Sequence, residues 1–264
     1  MCICGTKNIL NLTKRELLAY FLSPLAYVVM TAFLFFSGIF FYSNVTGFKD
    51  TSAIRWQLDI IGFISLFALP LITMRLLAEE KKSGTIEMLM TAPVTETAII
   101  ISKFLGALIF YLFLIAPTII YVILLLIWGN LDIGSLLAGY LGLILLVGVF
   151  IAIGLFISSF TESQLLAAIV TWVILIIWYI IGGLAGELSN ALVSFLNAGV
   201  GWLFGSFDAW SSKLTAFFEY IGFFKHLEPF SKGLIDTRGV VFYLSLVVFF
   251  LFLTIRVVES KRWK

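Results

Sequence analysis

The sequence predicts an all-α membrane protein with six transmembrane helices. The chain of 264 residues is 61% hydrophobic and only 12% charged. Soluble domains are about half apolar and about a quarter charged. The charged residues are gathered in short segments, and the apolar runs between them are about 20 residues long, which is the length that crosses a bilayer as a helix. We therefore expect a single transmembrane domain that spans residues 1–264.

Residues 1–22 are predicted to form a helix that lies in the membrane surface. Basic residues are mixed there with leucine and isoleucine, which is typical of interfacial helices. Lys14 falls on the same helical face as Leu10 and Leu18, so the amphipathic pattern is imperfect. Pro24 then lets the chain turn into the first span. No signal-peptide cleavage site is recognisable, and the first span is expected to remain as an anchor.

The remaining spans follow from the apolar runs. Only Ile60 to Met74 of the second span is free of charge, so Arg75 is expected to extend its head group to the membrane surface. Lys103 lies near the first turns of the third span. Glycines of the fourth span are expected to let neighbouring helices approach closely, and they are Gly139, Gly142, Gly148 and Gly154. The predicted spans are Leu25 to Asn44, Trp56 to Ala78, Thr95 to Trp128, Gly134 to Ser158, Leu165 to Ala185 and Gly239 to Ile255.

A charged loop, residues 79–97, joins the second and third spans. Charge is costly in hydrocarbon, so this loop is predicted to lie in water at a membrane face. Arg75 and Glu79 are four residues apart, a spacing that favours a helix continuing out of the bilayer. Gly84 is expected to end that helix.

A second, shorter helix is predicted after the glycine. Ile86, Leu89 and Met90 fall on one helical face, and Pro93 stops the helix. The result is a stub about two turns long with an apolar knob on one side. Such a knob is a place where a partner protein can bind.

The run from Met74 to Glu87, followed by Pro93, resembles the first cytoplasmic loop of type-2 ABC transporter permeases. The shared pattern is an acidic pair, a basic residue, Gly-Thr, a glutamate and a later proline. The run from Gly154 to Ala168 is also similar to that family, and Phe224 to Arg238 resembles its gliding-motility-associated members.

The resemblance implies a permease subunit of an exporter with a coupling helix in the charged loop. A separate ABC ATPase subunit would bind ATP, and a second copy or a related permease would complete the pathway among the membrane lipids. The residues that the resemblance places in contact with the ATPase subunit are Glu79, Glu80, Gly84, Thr85, Ile86, Glu87, Leu89 and Met90.

Residues 186–238 form the longest connection, and they are unusually apolar for a loop. Their aromatic and aliphatic residues are interleaved with glycine, serine and asparagine. Because structureless loops of this length are uncommon, we predict short helices that dip into the membrane or lie along it. Type-2 permeases have re-entrant helices at this place, so the resemblance implies the same.

The basic residues predict the orientation. Most of the 17 lysines and arginines fall on one side when the N-terminus is placed inside. The positive-inside rule then predicts a multi-pass protein of the inner (cytoplasmic) membrane with both termini cytoplasmic.

The sequence lacks the residues of several other functions. No phosphate-loop motif occurs, so the chain is not expected to hydrolyse ATP itself. No charge lies in the middle of a span, which argues against a proton relay. His226 is the only histidine, and Cys2 and Cys4 have neither redox nor zinc spacing, so no catalytic residue, metal or cofactor is predicted. A net charge of +2 gives no reason to expect nucleic-acid binding.

The residues leave alternatives open. A membrane scaffold or assembly factor could bind a cytosolic protein through the same charged loop without transporting anything. Within transport, copper-enzyme maturation and sodium export are further alternatives, because no residue set separates them from a gliding-related substrate. Aromatic residues of the first span either line an apolar path or face lipid and neighbouring helices, and they include Phe33, Phe35, Phe36, Phe40 and Phe41.

Overall fold

Six helices of the described residues are long and apolar enough to cross a membrane. The structure is a computed structural model, and it describes residues 2–47, 52–82, 84, 95–128, 133–199 and 208–261. These residues form helices joined by turns, with no strand among them. The predicted all-α membrane protein is confirmed.

The helices occur in the predicted places. A 3-10 turn, Ala116–Thr118, interrupts the third span at Pro117, which has no N–H to donate to the preceding helical turn. The helices are α1 Cys2–Phe21, α2 Pro24–Gly47, α3 Ser52–Thr73, α4 Ala78–Lys82, α5 Glu96–Ile115, α6 Ile119–Trp128, α7 Ile133–Ser158, α8 Gln164–Gly183, α9 Ala185–Gly199, α10 Asp208–Ile221, α11 Phe223–Ser231 and α12 Thr237–Lys261.

The alternating direction of the long helices gives the molecule two faces. The α4 face contains α1, α4 and the turn between α7 and α8, and side chains of Lys81 and Ser158 connect α4 to that turn and to the end of α7. The α11 face contains α9, α10 and α11, and an ion pair between Arg55 and Glu228 joins α11 to the start of α3.

Helix α7 lies at the centre of the molecule. It contacts α3, α5, α8, α11 and α12, and its residues are buried along most of its length. A helix that is apolar on all sides requires such an interior position. The sequence of α7 therefore explains why the other spans surround it.

Glycines of α7 allow two neighbouring helices to approach closely. A Cβ on Gly142 would lie 2.8 Å from Cβ of Phe230 in α11, and one on Gly154 would lie 2.6 Å from Cβ of Thr73 in α3. A Cβ on Gly139 would overlap the side chain of Leu58. At Gly148 the nearest atom is at an ordinary 3.6 Å. The predicted close approach is thus confirmed at three of the four glycines, and α3 is held against α7 near both of its ends.

The long connection between the last two spans is part of the packed structure. Leu227 and Phe230 of α11 are buried against α7. The hydroxyl of Tyr243 in α12 donates to the carbonyl of Phe223 at 2.6 Å, and Nε1 of Trp178 in α8 donates to the carbonyl of Ile221 at 2.9 Å. The predicted short helices are present, and hydrogen bonds fix them to the spans.

Helix α1 packs on α5 with a side that is partly polar. Thr13 and Tyr20 are buried there, whereas Leu10 and Leu18 are 60% and 61% exposed. Lys14 lies on the exposed side with them. The amphipathic pattern of α1 is imperfect because its partly polar side packs against protein, whereas an ordinary interfacial helix turns its polar side to water.

Gly154→Ala is expected to lower the free energy of unfolding by about 1–3 kcal/mol, because the new methyl group would push Thr73 and α3 away from α7. Gly148→Ala is the matched control, since its methyl group meets only ordinary contacts. SDS-induced unfolding in mixed micelles measures both variants. Equal stability of the two variants would contradict the close packing of α3 on α7.

Candidate functional site

The charged loop begins at the short helix α4, and a neighbouring span caps this helix. The first N–H groups of a helix need acceptors from outside the helix. The backbone N–H groups of Leu77 and Ala78 donate to Oγ of Ser158 at 3.1 and 3.0 Å. Ser158 is the last residue of α7, and its hydroxyl lies 3.4 Å from the carbonyl of Met74. The start of α4 is therefore fixed to the end of the central helix.

Arg75 precedes α4 and forms the ion pair that its spacing from Glu79 predicts. Its Nε and Nη2 atoms donate to the two carboxylate oxygens of Glu79 at 2.8 and 3.2 Å. Such a forked pair fixes geometry better than a single contact. Nη1 also donates to Ser23, between α1 and α2. The expected continuous helix is wrong in one respect, because a turn separates α3 from α4 and contains Arg75.

The side chain of Lys103 is buried between two carboxylates. Its Nζ atom lies 3.0 Å from Oε1 of Glu16 in α1 and 2.7 Å from Oε1 of Glu80 in α4, and only 2% of the Lys103 side chain is exposed. An ammonium group loses its hydration when it is buried, and only well-placed opposite charges offset that cost. We call Glu16, Glu80 and Lys103 the anchoring cluster. It joins α1, α4 and α5.

One further contact ties α4 to the turn between α7 and α8. Nζ of Lys81 donates to the carbonyl of Ser159. An open cavity of about 520 Å³ lies beside this contact, lined by Met74, Lys82, Glu162, Ser163, Gln164 and Leu165. The two chain segments of the α4 face thus form one surface.

Tyr20 fixes the end of α1 to the end of α3. Its hydroxyl donates to the carbonyl of Ile72 at 3.2 Å, and its ring stacks on Phe110 at a centroid distance of 5.0 Å. Burial, with a smaller contribution from Glu16, raises the pKa of Tyr20 above its usual range, so the hydroxyl stays a neutral donor.

The structure describes three of the residues that the resemblance places at the ATPase contact. Glu79 is half exposed and holds Arg75, whereas Glu80 turns inward to Lys103. Gly84 is exposed and has a φ of +69°, a conformation that favours glycine after a helix end. The predicted stub lies outside the described residues, and so do its site residues Thr85, Ile86, Glu87, Leu89 and Met90.

Sequence reasoning missed three residues that hold α4, namely Glu16, Lys103 in its role as a partner, and Ser158 as a cap. A usable signal was present for the ion pairs. A lone lysine inside an apolar run must find a carboxylate, and Glu16 and Glu80 lie in segments predicted at the same membrane face. No sequence signal pointed to Ser158, because small residues at a helix end are common.

The fold and this face define a class of protein. Six apolar helices, with the short helix α4 held at one end of them by Lys103, are the features of a multi-pass membrane protein. Residues 14–257 match the model of the ABC-2 family transporter protein family. The chain belongs to this family and is a membrane permease of an ABC transporter, a class that associates with an ABC ATPase subunit. Among curated proteins, none matches the chain significantly.

Lys103→Met is expected to cost about 3–5 kcal/mol of unfolding free energy, because it leaves Glu16 and Glu80 facing each other without a cation. Adding Glu16→Gln and Glu80→Gln should restore most of the loss, since no charge then remains to be neutralised. SDS-induced unfolding in mixed micelles measures the series.

Lys14→Met is the control for this series, because Lys14 lies on the exposed side of α1. It should change the unfolding free energy by less than about 0.5 kcal/mol. If Lys103→Met were as mild as Lys14→Met, the anchoring cluster would not hold the α4 face together.

Proposed function

We propose that this permease belongs to an ATP-driven exporter and that its ATPase subunit docks on the charged loop through residues from Glu79 to Met90. The observation that carries the proposal is the anchoring cluster. Glu80 at the base of the loop is bound to Lys103 of α5, and Lys103 also binds Glu16 of α1. A push on the loop is therefore passed to the spans instead of being lost in loop motion.

The proposed path of force has three branches. The turn containing Arg75 leads directly into α3. The anchoring cluster leads into α5, and the hydrogen bonds to Ser158 lead into α7. ATP-driven closure of the docked ATPase subunits would move these three helices together and expose the transport path.

In the proposed transporter, the chain is the transmembrane subunit. It has no phosphate-loop motif, so ATP would be bound and hydrolysed by the separate subunit. A second copy of the chain, or a related permease, would pair with it in the membrane. More lysines and arginines fall on the side of the N-terminus and the charged loop than on the other side. By the positive-inside rule, this difference supports an inner-membrane orientation in which the α4 face and both termini are cytoplasmic.

We also propose a more specific role for this permease, in gliding motility. It rests on the segment from Phe224 to Arg238, which resembles that group of permeases. Most of this segment forms α11 and the turn that follows it, and α11 packs against α7. The segment would thus lie at the α11 face, where an exported substrate leaves the pathway.

Changing Ile86 and Leu89 together to aspartate is expected to abolish co-purification of the ATPase subunit. The predicted apolar knob would then carry two charges, which cannot be buried in an interface without partners. The candidate ATPase is the product of a neighbouring gene that carries a phosphate loop and an ABC signature. Co-purification from membranes after mild solubilisation is the measurement.

The matched control changes Leu234 and Ile235 to aspartate. Both side chains are exposed, by 66% and 60%, and they lie at the α11 face. The control complex should stay intact. A full complex and normal transport with the Ile86 and Leu89 variant would overturn the proposed docking site, and the absence of any bound ATPase in the unchanged protein would favour the scaffold alternative.

Neutralising the anchoring cluster is expected to uncouple the complex without dissolving it. The variant combines Lys103→Met with Glu16→Gln and Glu80→Gln, so that no buried charge is left alone. Spin labels at Trp56 of α3 and Leu184 after α8, which are 54% and 48% exposed, report the separation of these helices. ATP with vanadate should shift this distance in the unchanged complex and leave it unshifted in the variant, although the ATPase stays bound. An equal shift in both complexes would show that force bypasses the anchoring cluster.

A further inference from the structure

A cavity opens at the α11 face, on the opposite side of the molecule from the charged loop. Its volume is about 340 Å³, and it lies among α3, α8 and α11. The cavity is lined by Arg55, Asp59, Phe63, Tyr179, Gly182, Gly183, Gly222, Phe223, Phe224, Lys225 and Glu228. Carboxylates, cations and aromatic rings therefore meet in one space, which lies apart from the charged loop.

The basic residues at this cavity already have acidic partners. Arg55 and Lys232 donate to the same carboxylate oxygen of Glu228, at 2.8 and 2.9 Å. Hydrogen bonds from Lys232 and then from Arg55 hold the pKa of Glu228 below its usual range, so Glu228 stays ionised in this pair. Lys225 lies 3.4 Å from Glu219. The positive charges of the cavity wall are thus occupied.

Asp59 differs from these paired residues in its contacts. It lies one helical turn after Arg55 and is partly buried, yet it forms no hydrogen bond or ion pair within the described residues. The guanidinium group of Arg55 attracts it only through space, because that group donates to Glu228. A partly buried carboxylate with no hydrogen-bond donor has unused acceptor oxygens, and a cationic ligand would pair with them and favour the ionised form.

Three aromatic rings surround the space next to this carboxylate. Phe63 lies one turn after Asp59 on the same side of α3. Its ring centroid is 5.4 Å from that of Tyr179, and Tyr179 is 5.1 Å from Phe224. Ring faces next to a carboxylate bind ammonium groups, because the negative face of each ring attracts a cation.

A pair of glycines lets α8 and α11 approach closely at this cavity. A Cβ on Gly182 of α8 would lie 2.7 Å from Cα of Gly222, directly before α11. Larger residues at these positions would separate α8 from α11 and move Tyr179 away from Phe224. The aromatic walls therefore depend on this close backbone contact.

The aromatic surface continues from the cavity along the spans. Phe67 is 5.2 Å from Phe63, and Trp172 of α8 is 5.4 Å from Phe67. These rings are 38–40% exposed on the outer surface between α3 and α8. From Asp59 to Phe67 the helix rises about 12 Å, which is enough to bring the ring of Phe67 into the apolar part of a bilayer.

We infer that this cavity binds the amine head of an amphipathic molecule, with its ammonium group at Asp59 and its apolar body along Phe67 and Trp172. The polar end and the apolar path are continuous, which is the shape of a site for an amphiphile that enters from the membrane. The binding itself is a property of the permease alone. Only the further step, that the bound amphiphile is the exported substrate, rests on the proposed function.

Photolabelling of the purified permease without any ATPase tests the inference. The protein is placed in nanodiscs of an uncharged glycolipid, which has no amine and does not concentrate either probe through surface charge. The probe is an alkyl trimethylammonium with a diazirine in its chain, and the comparison probe has the same chain with a sulfonate head. The ammonium probe should label peptides that contain Phe67 or Trp172 at a concentration at least about tenfold lower than the sulfonate probe.

Asp59→Asn is expected to weaken labelling by the ammonium probe about tenfold and to leave the sulfonate probe unaffected, since it removes the charge but keeps the size. Phe63→Leu, which keeps the carboxylate and removes one ring, should weaken it several-fold. Glu187→Gln is the matched control, because Glu187 is an exposed acid of α9 at the same face and does not line the cavity. Its labelling should equal that of the unchanged protein.

Equal labelling by the two probes, or unchanged labelling of Asp59→Asn, would overturn the inference and leave only an apolar groove. Cross-linking that joins two permease chains across α3 and α8 would overturn it in favour of a dimer contact. Loss of ATPase docking in the Ile86 and Leu89 variant does not enter this assay, so the failure of the proposed function and the failure of this inference can be told apart.

Discussion

The burial of one ammonium group, that of Lys103, determines how the α4 face is built. Removing this group from water is unfavourable unless opposite charges meet it at short distance. The two carboxylates that do so come from α1 and α4, while the lysine belongs to α5. None of these segments can shift alone without exposing or stranding a charge. The base of the charged loop is thus fixed by an energetic requirement of the interior.

The architecture was predictable from the sequence because it depends on length and apolarity, which are local properties. The spans and the helices between residues 186 and 238 follow from apolar runs and from the cost of unpaired backbone groups in a membrane. The partners of Lys103 were not predictable in the same way. Glu16 and Glu80 are far apart in the chain, and only the packing of α1 on α5 decides that both reach one lysine. The cap by Ser158 depends on tertiary structure for the same reason.

The candidate site, too, was predictable from the sequence only in part. The pattern of acidic pair, glycine and later proline predicts a coupling helix, and that helix stays a prediction because it lies outside the described residues. The cavity at Asp59 was invisible in the sequence, since its walls come from three separate helices. A charge near the end of a span is ordinary at the membrane surface. It becomes informative only once the structure shows that aromatic rings surround it and that the neighbouring basic residues are paired with other carboxylates.

Helix α3 connects the two faces, and its packing limits how the protein can move. Close contacts at Gly139 and Gly154 hold α3 to α7 near both ends. A tilt of α3 against α7 would disturb these contacts, which favours movement of the two helices as one body. Helix α8 is less enclosed than α7, because 22% of its apolar stretch is buried against 78% in α7. The cavity at Asp59 lies between α3 and α8. Motion that begins at the charged loop would therefore change the width of this cavity, because α3 and α7 would shift together past α8.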